Sequence, residues 1–287
     1  MSCNLLSPAM ISTILMLGIA LTSAAQQPKQ VKLNVAQGGA VNVVNNSGSV
    51  TVHAGSGNQV IFTSTTHSNK VEVDSGSTPD GRRVDIRTHV LSQQKPSADE
   101  AKVDYDITVP AGVSVSVSTA TAPITVEKVR GDLTLASDTG QLVVHEVTNS
   151  HVHIKSIAAP VVLANVSGAY IDITSTSGPV QLTNVSGPKI TVNTTSGSIT
   201  YQGNCASGDY VMTSHSGAID VTLPESASID LTARSVQGAV ENDFPLQPKQ
   251  HTTFVPSAGR SFAGTSNSGS SSVELQSFSG RIRVKKQ

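Results

Sequence analysis

Apolar residues alternate with small polar ones along most of this chain, and the alternation has a period. Aligned on the pattern small-x-apolar-x-apolar, the sequence gives Ala122-Pro-Ile124-Thr-Val126, Gly140-Gln-Leu142-Val-Val144, Ala159-Pro-Val161-Val-Leu163 and Gly178-Pro-Val180-Gln-Leu182. It continues with Gly197-Ser-Ile199-Thr-Tyr201, Gly217-Ala-Ile219-Asp-Val221 and Gly238-Ala-Val240, successive starts being 18, 19, 19, 19, 20 and 21 residues apart. A second series interleaves with the first: Leu133/Leu135, Val152/Ile154, Ile171/Ile173, Ile190/Val192, Tyr210/Met212 and Ile229/Leu231. Each repeat therefore holds two short alternating segments, the signature of strands with one buried face. Between them stand Ser-Gly and Thr-Ser-Gly turns, where glycine takes a positive φ without a Cβ clash. Pro123, Pro160, Pro179 and Pro188 follow the turns, where a strand's first residue needs no donor.

A fixed period of this size implies stacked supersecondary units. The pattern predicts an all-β fold, a β-solenoid in which a rung of about 19 residues runs out along one strand and back along another, with the next rung ~4.8 Å along the axis. Stacking at this register points Val180, Leu182, Val185, Ile190 and Val192 inward from one rung, and Ile199, Tyr201, Cys205, Tyr210 and Met212 inward from the next. It sets Cys205 over Val185 and Val166, as a small core residue. Asn165, Asn184 and Asn204 form a further row, read as a corner ladder in preference to a ligand-binding row. Before Val103 the alternation loosens, around the turn-rich DSGSTPDGRR and the polar loop Ser92 to Lys102. It breaks again between Phe244 and Ser272 before SSVELQSFSGRIRV resumes it. The predicted organisation is a leader over 1–25, an N-terminal β region or cap over 26–102, solenoid repeats over 103–243, and a C-terminal loop with capping strands over 244–287.

The leader rests on residues 10 to 25, an apolar stretch ending in small residues, with Ser23 and Ala25 suited to a signal-peptidase site and Gln26 as the mature N-terminus. It lacks a basic n-region, and an uncleaved anchor is the rival reading, since the run approaches the ~17 residues that span a bilayer. No later run approaches that length, so the mature chain is expected not to span a membrane. Of two cysteines, Cys3 falls in the leader, which leaves Cys205 without an internal disulfide partner. The sequence has no Trp, 3% aromatic and 14% charged residues, so its surface is built from Ser, Thr, Asn, Gln and Gly. A net charge of -1 offers no footprint for nucleic acid. The basic run Arg281 to Lys286 alternates with Ile282 and Val284 and reads as the outward face of a strand.

GAVNVVNNSGSVTV, the VPAG entry within DITVPAGVSVSVST, the SG-x-I/V rungs, the ENDFPL exit and a closing SSVELQSFSGRIRV together resemble the bacterial putative-adhesin family, an exported β-strand-repeat domain of unknown function. The resemblance spans nearly the whole mature chain. It implies an envelope-associated domain and carries over no catalytic residue.

Candidate chemistry is sparse. His151 and His153 flank Val152 and should share an outward face, with Asp172 one rung from His153; this triplet is the candidate metal set, weighed against plain polar surface. His215 with Asp220 and His145 with Glu146 are conceivable acid–base pairs, the second weakened because sequence neighbours on a strand face opposite ways. No GxSxG, Walker-type loop, HExxH or acidic calcium repeat occurs. The expectation is a non-catalytic, cofactor-free, exported interaction or structural module of the periplasm, outer envelope or exterior, whose partner is an envelope, glycan or protein component the sequence does not name. The alternatives are a periplasmic structural domain linked to envelope stress, and a β-helix enzyme acting on polysaccharide.

Overall fold

A computed structural model describes residues 28–91, 96–205, 207–248 and 257–287, and in it the chain forms two β-sheets, of 12 and 13 strands, over one continuous core. The proposed leader lies outside the described residues. Among those residues no helix is long and apolar enough to cross a membrane.

The predicted solenoid is present. Strands one rung apart pair in parallel at the expected register: Val161, Leu163 and Val166 lie opposite Val180, Leu182 and Val185, while Ile171 and Ile173 lie opposite Ile190 and Val192. Because side chains alternate across a strand, this register stacks apolar residue on apolar residue. Every one of these residues is at most 2% exposed. Each buried Val, Leu or Ile contributes about 1.5–3 kcal/mol relative to exposure. Cys205 joins them at 3% exposure, as its register with Val185 required. Tyr201 and Tyr210 meet edge to face at 5.8 Å, and the Tyr201 hydroxyl donates to the Val185 carbonyl at 2.8 Å. A buried phenol thus keeps a partner for its polar end.

Two corners turn each rung, and both are held by stacked columns. At the first, a buried hydroxyl closes a four-residue turn onto a small residue. Thr119 donates to the Ala122 carbonyl, Ser156 to Ala159, Ser175 to Gly178 and Thr194 to Gly197, at 2.7–2.8 Å. In later rungs the hydroxyl oxygen accepts instead, as where the Gly217 amide donates to Ser214. The residue three places on must be small because the rungs nearly touch: a Cβ on Gly178 would lie 2.0 Å from the Ala159 carbonyl oxygen. At the second corner Lys128, Glu146, Asn165 and Asn184 take positive φ of 52–60° in successive rungs. Asn enters this region most easily of the non-glycine residues. The Asn184 side chain donates to Asn165 at 3.3 Å, and Lys128 meets Glu146 at 3.6 Å. The expected Asn ladder ends there. Gly203, not Asn204, follows Asn184 in register, because this longer rung carries an extra residue that moves Asn204 off the column.

Strand order departs from chain order at both ends. Ala40–Asn45 and Gly48–Gly55 make a rung inserted between the one formed by Arg83–Val90 with Val103–Pro110 and the one formed by Ser114–Thr119 with Ile124–Glu127. At the other end, Ser271–Ser277 and Ile282–Lys286 slide between Asp209–Ser214 with Ile219–Leu223 and Ile229–Ser235 with Val240–Asn242. The closing SSVELQSFSGRIRV is therefore an interior rung and not a cap. Arg283 and Arg281 reach Asp220 at 2.9 and 3.9 Å, and Lys286 reaches Glu225 at 2.8 Å, so its basic residues face out onto acids of a neighbouring segment. Antiparallel strands finish three of the four sheet ends among the described residues: Gln59–Thr66 and then Lys29–Asn34 at one end of the 12-stranded sheet, and Val71–Ser77 and Ser261–Thr265 at the two ends of the other, while the 12-stranded sheet ends elsewhere on the parallel strand Val240–Asn242. Reversed pairing ends the parallel register that would otherwise template another molecule.

Two outcomes test this architecture. Ser175→Ala removes a buried donor from a carbonyl and should destabilise by about 1–2 kcal/mol, whereas Ser137, a buried hydroxyl with no partner among the described residues, should tolerate alanine within about 0.5 kcal/mol. Urea unfolding of the two variants side by side measures the difference, and equal losses would remove the hydroxyl column's role. The second concerns Cys205, whose thiol burial pushes up to about 12. At pH 8 such a thiol is ionised to roughly one part in ten thousand. A chain beginning at Gln26 should resist a thiol reagent when folded and react at once in denaturant; rapid native labelling would contradict the buried placement.

Candidate interaction surface

The outward residues stack as strictly as the inward ones, so the surface consists of columns running along the axis. On the 13-stranded sheet one column reads His151, Tyr170, Lys189 and Asp209, and the column two residues along reads His153, Asp172, Thr191 and Val211. Between the first three members of each runs an open groove of about 480 Å³. Val152 and Ile171 form its floor with their backbone, since their side chains are buried in the core.

The groove walls are braced from below. His151 Nδ1 lies 3.2 Å from Asp132, whose same oxygen accepts the His151 amide at 3.0 Å. Its imidazole stacks on Tyr170 at 5.2 Å with the rings 27° apart. His153 Nδ1 lies 3.1 Å from Asp172. Tyr170 is 50% exposed, while the other three tyrosines are buried. The candidate set His151, His153 and Asp172 is thus divided: His153 and Asp172 pair, and His151 turns to Asp132. Among the described residues, the donors that converge within 4.8 Å are those of Glu72, Asp74 and His89, all exposed, with His89 in an ion pair to Asp74 at 2.8 Å.

The two acid–base pairs considered from sequence take other partners. Asp220 is held by Arg283, and His215 stacks on Phe278 at 4.9 Å with the rings parallel within 1°. Glu146 pairs with Lys128. The histidine–carboxylate contact recurs at the N-terminal end, where His53 bridges Asp106 and Glu127 on the two neighbouring strands and His67 meets Asp104 at 2.6 Å. Partial burial pushes the Asp104 carboxyl up, but hydrogen bonds from Ser49 and His67 outweigh it and hold the group below the ordinary aspartate value. A second groove, of about 400 Å³, lies beside the inserted C-terminal rung and is lined by His215, Arg234, Val236, Gln276 and Phe278 among others.

Tyr170 and Lys189 each precede an inward residue, Ile171 and Ile190, so alternation alone turns both outward, but no motif gives either a role. The available signal was an aromatic at an outward position in a chain with few aromatics, beside the His151/His153 pair.

Comparison with solved structures finds a putative cell adhesion protein from Clostridium sporogenes ATCC 15579, at 13% identity over 91% of this chain and 100% of that one, with a TM-score of 0.29. A putative adhesin from Parabacteroides merdae ATCC 43184 matches at 10% identity over 91% and 96% of the two chains, with a TM-score of 0.34. No curated protein matches the sequence. The family match is extensive, running over residues 43–285 and so reaching into the inserted rungs at both ends: the chain belongs to the Toastrack DUF4097 family.

Proposed function

We propose that this chain is an exported, non-catalytic solenoid that serves as an interaction module of the cell envelope or surface. The observation that carries this reading is the columnar outward face. Ten rungs among the described residues hold side chains at one repeated spacing on a floor whose backbone groups are already bonded within the sheet. Such a surface offers many similar contacts in parallel to an extended partner, and its stiffness limits the ordering cost of binding. Carboxylates on these faces bind neighbours across the rungs, as Asp172 does His153, Asp220 does Arg283 and Asp85 does Asn42. That arrangement favours positional rigidity over proton transfer. Export rests on the apolar leader ending at Ser23 and Ala25.

Fractionation of cells expressing the full chain, with mass spectrometry of its N-terminus and capture from envelope extract, tests the reading. The expected result is a protein outside the cytoplasm, beginning at Gln26, that retains envelope material reproducibly. An intact leader in the cytosol, or a measurable turnover abolished by Asp172→Asn, would overturn it.

A further inference from the structure

Within that reading, we infer that the groove between the Tyr170 and Asp172 columns binds a neutral polysaccharide laid along the solenoid axis. Tyr170 supplies the platform. A half-exposed aromatic on an outward strand face leaves apolar area in water, and a sugar ring presents an apolar face of carbon-bound hydrogens that covers such a surface. The ring is also set in advance: His151 stacks on it, and Asp132 holds His151 through both the imidazole and the backbone amide. Less rotamer freedom is then lost when a ligand arrives.

The polar groups around the platform match hydroxyls. Asp172 can accept, Lys189 can donate, and Thr191 can do either, while each sugar hydroxyl both donates and accepts. Lys189 has no ion-pair partner among the described residues, and Asp172 meets His153 through only one of its oxygens. These groups come from adjacent parallel strands, so they repeat along the axis at ~4.8 Å per rung. Three rungs contribute, from His151–Ser156 through Tyr170–Ser175 to Lys189–Thr194, which suits a chain of sugars better than a single one.

Other occupants fit less well. An acidic polymer would bring its carboxylates against Asp172, with Lys189 as the one lysine lining the groove. A peptide strand adding to a sheet needs an unpaired edge, and the groove floor is made of central strands bonded on both sides.

Calorimetry on the mature chain with cellohexaose, chitohexaose and hexagalacturonate tests the inference. At least one neutral oligosaccharide should bind, and Tyr170→Ala should weaken it about tenfold or more, as loss of an aromatic anchor does. Tyr170→Phe should stay within about threefold of the parent. Tyr170→Thr, which suits an outward strand position, repeats the test should the alanine variant fold poorly. No binding of either neutral probe, preference for hexagalacturonate, or affinity equal to the parent's in the alanine and threonine variants would overturn the site. If Tyr170→Ala still captures envelope material as the parent does, the interaction module stands and this groove falls. If cellohexaose or chitohexaose binds but the chain captures no envelope material, the groove stands and the envelope reading falls.

Discussion

The close approach of backbone to backbone at the first corner is the constraint on which the rest of this fold depends. A Cβ on Gly197 would lie 2.2 Å from the Gly178 carbonyl oxygen, and one on Gly217 would lie 2.0 Å from that of Gly197. Only small residues let the turns stack at the spacing the strands require. Once they do, the hydrogen bonds of the sheets continue through the corners, as where the Ser196 amide donates to the Thr176 carbonyl at 2.8 Å. Where the buried Ser or Thr three residues earlier bonds across the turn, as Ser175, Thr194 and Ser214 do, it holds the turn in the one shape compatible with both demands. Inward stacking of Val, Leu and Ile follows from this register; without the corners, the same alternating strands would be free to slip.

Register alone would make a stack open at both ends, and here the two end regions close differently from the middle. The repeats from Ser114 to Leu223 meet partners about 19 residues away, whereas Arg283 meets Asp220 across 63 residues and Val50 pairs with Ile124 across a comparable span. Closing long loops costs entropy before any contact compensates for it. The repeats from Ser114 to Leu223 can therefore be added in chain order, while the inserted rungs must find gaps left by their neighbours. Their charge pairs favour one slot among many similar strands, since Asp220 lies between Arg281 and Arg283, and Glu225 meets Lys286.

This division explains what the sequence could reveal. Period, strand pairs per rung and inward residues were legible because alternation and the glycine-led turns repeat at one spacing; even the buried place of Cys205 followed from counting. The hydroxyl column was present at the same period, at Thr119, Ser137, Ser156, Ser175, Thr194 and Ser214, but serines beside glycine read simply as turn chemistry. Stack order was not legible, because an inserted rung carries the same alternation as its neighbours and its slot is chosen by distant side chains. The Asn204 shift was hidden for a related reason: one extra residue keeps Cys205 inward while displacing the corner. At the surface, alternation put His151, His153 and Asp172 on a common face but left their partners open, because Asp132 precedes its strand and reaches the histidine from a turn.

A solenoid of this kind separates the problem of folding from the problem of recognition. Inward and corner positions are tied to the rung spacing, so variation there disturbs several rungs at once. Outward positions touch mainly the residues above and below, and can change singly. Function is therefore to be sought where an outward column departs from Ser, Thr and Asn. The departure at His151, Tyr170 and Lys189 places an aromatic ring, an imidazole and an ammonium one above another beside a paired carboxylate. Folding has no need of Tyr170 in water, since the equivalent outward position is aspartate two rungs on, at Asp209, and the strands there pair just as regularly. A residue that the scaffold does not require, held in place by neighbours that fix its orientation, is the kind of feature that a binding partner explains and the fold does not.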